Sequence, residues 1–150
     1  MLELVLSKQP EYLNQTKDGG FTPIMQAVTY RDRTTVRALV DRGCDVNAET
    51  SLGNYKKTAL TFVTETKMQH EPDDIVEILL EAKADLHHCN GHGMQPLHYA
   101  VRNNCPLTTE KFIRYGADVN NTTELLGTPL HWAALYGSLE AARVLLENGA

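Results

Sequence analysis

Aromatic residues are scarce, at 7% of the chain, and tryptophan occurs once. A core built from this sequence therefore rests on Leu, Val, Ile and Ala. Cysteine is scarce too. Cys44, Cys89 and Cys105 are an odd number at irregular spacings, close no disulfide framework, and point to a reducing compartment, cytoplasmic or nuclear. Long hydrophobic runs are missing. The longest, around Ile75 to Leu80, falls far short of the ~20 residues that span a bilayer, so no membrane insertion is expected. The opening Met-Leu-Glu-Leu-Val-Leu carries an acid where an export signal needs a base. Positive charge is in deficit, with 14 Lys and Arg against 19 Asp and Glu and a net charge of −5. That argues against binding nucleic acid or an anionic membrane through a broad basic face. What remains is 42% hydrophobic and 22% charged over 150 residues, the composition of a folded soluble chain about one domain long.

What the sequence does have is an internal repeat. Thr22-Pro23-Ile24-Met25, Thr58-Ala59-Leu60-Thr61, Gln95-Pro96-Leu97-His98 and Thr128-Pro129-Leu130-His131 recur at intervals of 36, 37 and 33 residues. A second string, Gly43-Cys44-Asp45-Val46-Asn47, Lys83-Ala84-Asp85-Leu86-His87, Gly116-Ala117-Asp118-Val119-Asn120 and finally Gly149-Ala150, recurs at 40, 33 and 33. The first string leads the second by 21 residues in three repeats and by 25 in the repeat opened by Thr58. From the turn Asn or His to the next first string is 8 residues in three cases and 11 from Asn47 to Thr58. One repeat thus holds two insertions, one before its first helix and one between its helices.

Local chemistry agrees. Thr22 and Thr128 stand where N-caps belong, with Pro23 and Pro129 at the first helical position, where no backbone N–H is missed. The pairs Leu39-Val40, Leu79-Leu80, Phe112-Ile113 and Leu145-Leu146, with Val36, Val76 and Ala142 three positions earlier where present, form a one-face stripe on each second helix. Gly43, Gly116 and Gly149 fall where a helix ends in a left-handed residue, and Lys83 occupies the same place at an expected cost of roughly 1 kcal/mol. Pro72 stops helix growth in the long link Lys67–Pro72, and Asp73 or Asp74 suits the start of the next helix.

The string Thr128-Pro129-Leu130-His131-Trp132-Ala133-Ala134, with Gly137, Val144-Leu145-Leu146 and Gly149-Ala150, resembles the ankyrin repeat, and the resemblance runs along essentially the whole chain. It implies an all-α solenoid of stacked helix-turn-helix units with β-turn fingers, a single repeat domain over 1–150. The expected divisions are a partial repeat at 1–16 carrying Leu2, Val5 and Leu6, a repeat at 17–49, an irregular one at 50–89, another at 90–122, and a final truncated one at 123–150. By the same resemblance Asn47, with Leu39, Asp45 and Val46, matches the pattern of ankyrin asparaginyl hydroxylation.

Function follows from the resemblance as an expectation: a non-enzymatic scaffold that binds another protein on its concave side, or else the substrate-recruiting segment of a larger multidomain enzyme. Contact positions carried over from the family are Asp18, Phe21, Thr29 and Tyr30; Asn54, Tyr55, Lys57 and Glu65; His92, Met94, Arg102 and Asn103; and Glu124, Leu125, Leu135 and Tyr136. Phe21, Tyr30, Tyr55, Met94, Leu125 and Tyr136 are of the types that dominate interface energetics when exposed.

Other chemistry finds little support. His88, Cys89 and His92 crowd one finger but lack a zinc-ligand frame, and His98 belongs to the Pro-Leu-His motif, where the resemblance implies a structural hydrogen bond. No cysteine has a histidine base placed by the repeat, and no phosphate loop occurs. The reading is of no catalytic residues, no cofactor, no metal and no small-molecule substrate.

Overall fold

The chain is described from a computed structural model at residues 10–51, 53–65, 74–124 and 127–150. The expectations for Leu2, Val5 and Leu6, for the link Lys67–Pro72 with Asp73, and for Leu125 lie outside these residues.

Four helix pairs follow one another: α1 Pro23–Thr29 and α2 Arg33–Asp41, α3 Ala59–Glu65 and α4 Asp74–Glu81, α5 Pro96–Arg102 and α6 Pro106–Arg114, α7 Pro129–Tyr136 and α8 Leu139–Glu147. The first helices pack in one row, α1 on α3 on α5 on α7, and the second helices in another, α2 on α4 on α6 on α8. The core lies between the rows. Ile24, Leu60 and Leu97, the second residues of their helices, are sealed, as are Val36, Leu39, Leu79, Phe112 and Leu145 of the stripe. No helix among the described residues is long and apolar enough to cross a membrane.

The first-helix starts show why this string recurs. In three of the four first helices, residue N3 turns back to accept the N–H of the cap residue. His98 Nδ1 takes the Gln95 N–H at 3.1 Å and His131 Nδ1 the Thr128 N–H at 3.3 Å. In the irregular repeat Thr61 Oγ1 does the same for Thr58 at 3.0 Å, so a hydroxyl replaces the lost imidazole. Met25 holds this place in the first repeat and has no acceptor to offer. Thr22 still stands at the N-cap, but its side chain makes no capping bond and its hydroxyl is buried without a partner, which corrects the expectation of a capping side chain there.

Second helices end as their sequences require. Gly43, Lys83, Gly116 and Gly149 all have positive φ, at 77°, 63°, 100° and 90°. The following N–H then reaches back to the helix, as Ala84 N to Leu79 O at 2.9 Å and Ala117 N to Phe112 O at 3.0 Å. First helices end in the same way at Arg31, Asn104 and Gly137, of which only Gly137 betrays it by residue type.

Polar links set the spacing between repeats. Asn14 Oδ1 accepts the Asp45 N–H at 2.7 Å, and one repeat later Asn47 Oδ1 accepts the Asp85 N–H at 2.8 Å while its Nδ2 donates to Lys83 O at 3.2 Å. On the outer face, Arg33 and Arg37 of α2 pair with Asp74 and Glu81 of α4 at 2.9 and 3.7 Å, and Lys111 of α6 reaches Glu77 at 3.3 Å. The acidic helix therefore sits between two helices that supply bases. Exposed pairs of this kind add about 0–1 kcal/mol each and mainly favour one register.

Candidate partner-binding surface

Each finger is a tight turn that precedes a first helix. Three close over five residues, by Lys17 N to Phe21 O at 2.9 Å, Asn90 N to Met94 O at 3.1 Å and Thr123 N to Gly127 O at 2.9 Å. The second closes from Thr50 N to Lys57 O at 2.9 Å, with Lys57 N donating to Thr50 Oγ1 at 3.0 Å. Its three extra residues are the insertion counted between Asn47 and Thr58, and they coil into the short 3-10 turn Gly53–Tyr55.

This long finger ties its neighbours together. Ser51 N donates to Gly19 O at 2.8 Å on one side, and Gly91 N donates to Asn54 O at 2.8 Å on the other. The approach is close enough that a Cβ on Gly91 would lie 2.9 Å from Asn54 Cβ. His88 is held below it, Nε2 against Lys56 O at 2.9 Å and Nδ1 3.4 Å from Glu49. Tyr55 meets the His92 ring edge-on at 5.8 Å, and Cys89 Sγ donates to His87 O at 3.4 Å. Among the described residues no group of three or more His, Cys, Asp or Glu is placed to hold a metal ion.

The sixteen expected contact positions separate by environment. Asp18, Thr29, Asn54, Glu65, Arg102 and Glu124 are exposed. The large apolar side chains Tyr30, Tyr55, Leu135 and Tyr136 are also exposed, at 76, 53, 60 and 46%. Lys57, His92 and Asn103 are half-buried, and Leu125 is not among the described residues. Met94 is buried, which corrects its assignment as an exposed contact. The reason is its place as the closing residue of a finger. That position faces the neighbouring repeat, as Phe21 shows, half-buried with its ring edge-on to Phe62 of α3 at 5.0 Å.

Two residues absent from the expected set prove central. Phe62 receives Phe21 on one edge and the Lys57 ammonium 5.5 Å above its ring, while Lys57 Nζ pairs with Glu65 at 2.5 Å. Trp132 stacks on Tyr136 at 5.7 Å and 11°, and the Arg102 guanidinium lies 5.3 Å from the centre of the Tyr136 ring. The one tryptophan of the chain, inside the strongest copy of the motif, was the available signal for the second cluster. Nothing local marked Phe62.

The titratable groups beneath this surface are held neutral. Burial pushes the Cys44 thiol up to about 11, with the Asp45 carboxylate adding to it, and burial also raises the Cys105 thiol and the Tyr99 phenol. Burial drives His98 down to about 4, offset only in part by its hydrogen bond to Asn121 O.

Helix pairs stacked in two rows, capped by the Pro-Leu-His turn and joined by protruding fingers, match known families. A family model for ankyrin repeats in three copies matches residues 66–150, and one for a single ankyrin repeat matches residues 19–51. The chain belongs to the ankyrin repeat family. Over 138 residues it is 33% identical to neurogenic locus notch homolog protein 1 of Cricetulus griseus, 32% to that of Homo sapiens and 31% to that of Xenopus laevis. The match takes in 91% of this chain and only 5% of those proteins. Ankyrin repeats are in general protein–protein interaction modules without catalysis of their own.

Proposed function

We propose that this ankyrin array is a non-enzymatic docking module that binds a protein partner across its finger tips and the exposed ends of its first helices. The observation that carries this is the exposure of Tyr30, Tyr55, Leu135 and Tyr136 along one side of the stack, with Tyr136 held in register by Arg102 and Trp132. Rigid, amphipathic aromatics lose little conformational entropy on binding, which makes them the usual anchors of an interface. The tied fingers support the reading further, because backbone bonds such as Gly91 N to Asn54 O preorganise the tips before a partner arrives. Leu107 and Tyr115 on the second-helix row are exposed too, at 50 and 47%, but make no comparable ring cluster among the described residues. We place the module inside the cell, a reading supported by its three unpaired cysteines.

The test is capture from cell extract with the wild-type chain and with the triple variant Tyr30→Ala, Tyr55→Ala, Tyr136→Ala. Proteins retained by the wild type and lost by a variant that still melts cooperatively support the proposal. The same proteins on both baits would refute it.

A further inference from the structure

The repeat register lines up Thr29, Glu65, Arg102 and Leu135 at one position of successive first helices. Their charges are not equivalent. Glu65 is neutralised within its own repeat by Lys57. Arg102 is exposed, and among the described residues its guanidinium meets no carboxylate and lies against the ring of Tyr136. Among the described residues the row therefore carries one charge without an ion-pair partner, a cation, between a closed ion pair and the apolar Leu135.

How Arg102 is held matters as much as its charge. A guanidinium against an aromatic ring is attracted through its face, while its N–H donors point outward in its own plane. Tyr136 is itself braced by Trp132, nearly parallel at 11°. The fork is thus oriented before anything binds, and an oriented fork matches the two oxygens of a carboxylate. Leu135 and Tyr136 offer exposed apolar surface on the adjoining helix.

We propose that Arg102, seated on Tyr136, is the recognition subsite for an aspartate or glutamate side chain in the protein partner, and that Leu135 and Tyr136 take an apolar side chain next to it. This rests on the docking reading above and specifies the partner's chemistry at one place. The overall charge of −5 makes the choice sharper. An acidic partner gains nothing from the field of the whole chain, and beyond ~8 Å at physiological ionic strength that field is screened, so attraction depends on this local cation.

The test uses a displayed library of random peptides selected on the intact chain, followed by affinity measurement of the enriched peptides. The expected result is a shared Asp or Glu beside an apolar residue, with affinity about tenfold weaker or worse for Arg102→Gln, as a charged hydrogen bond predicts. Arg102→Glu should abolish binding of these peptides, and fresh selection on it should enrich Lys or Arg instead. Peptides that bind Arg102→Gln as well as the wild type, yet are lost on Tyr30→Ala with Tyr55→Ala, would overturn the subsite and leave the docking reading standing. A library that yields no binder to the folded chain counts against both.

Discussion

Lowering the pH through the range where free histidine titrates should weaken this fold, and His98 is the cause to isolate. Its side chain is fully buried, and the ring of Trp132 from the next repeat lies edge-on at 6.1 Å. Nδ1 accepts the Gln95 N–H, so Nε2 carries the proton and donates to Asn121 O at 3.2 Å. A second proton would have to go on Nδ1, where a donor already points. Burial above all disfavours the charged ring, and the folded state holds the pKa at about 4 against about 6.5 for an ordinary histidine. The sign follows directly. Above about pH 6.5 neither state binds the extra proton and the fold keeps its full stability. As the pH falls from there towards 4, the unfolded chain protonates first and stability is lost, levelling off below the folded pKa. Two and a half pKa units correspond to about 3 kcal/mol, a large share of the stability of a chain this size. Urea denaturation at about pH 7 and about pH 4.5, compared between wild type and His98→Gln, separates this from the carboxylates, which both proteins share. The variant should be less stable at neutral pH but lose about 2 kcal/mol less between these two pH values, since the loss is not complete until below the folded pKa. Parallel losses in the two proteins would refute the reasoning, as would an NMR titration placing His98 in the wild type near the ordinary histidine value.

Other outcomes follow from single contacts. Gly91→Ala should lower stability by about 1–2 kcal/mol in chemical denaturation, because the new Cβ lies 2.9 Å from Asn54 Cβ and forces the second and third fingers apart; an unchanged midpoint would mean the fingers are not tied. A Cβ at Gly116 meets no atom within 4 Å, so the cost of Gly116→Val comes chiefly from forcing a β-branched residue to φ 100°, at least about 1 kcal/mol, read as a drop in Tm. Lys83→Gly removes a non-glycine residue from φ 63° and should raise stability by up to about 1 kcal/mol; a fall would show that the lysine side chain contributes something unseen here. Tyr30→Ala and Tyr136→Ala should melt within a few degrees of the wild type, since both rings are exposed, and a collapse of either variant would place that ring in the core.

The finger positions show how far reading along the chain could go. The family resemblance places Asp18, Asn54 and Glu124 among the contact positions and they are exposed, while Met94, carried over in the same way, is buried. Side-chain type and repeat position were the same kind of information in each case. What separated them was whether the next repeat comes down on that side chain, which no pattern within one repeat records. His98 and His131 make the point more sharply. They sit in the same motif and make the same hydrogen bond to the cap residue, yet His98 is sealed and His131 exposed.

The sequence by itself determined the period, the helix starts at Pro23 and Pro129, the left-handed stops at Gly43, Lys83 and Gly116, and the three extra residues of the second finger. These depend on backbone geometry within a few residues, and local chemistry is enough to specify them. Only the tertiary structure decided that Met94 is sealed, that the long finger bonds to both neighbours, and that among the described residues Arg102 meets the ring of Tyr136 and no carboxylate. Those outcomes depend on which surface each repeat meets when it stacks, and stacking is a distance between residues far apart in the chain.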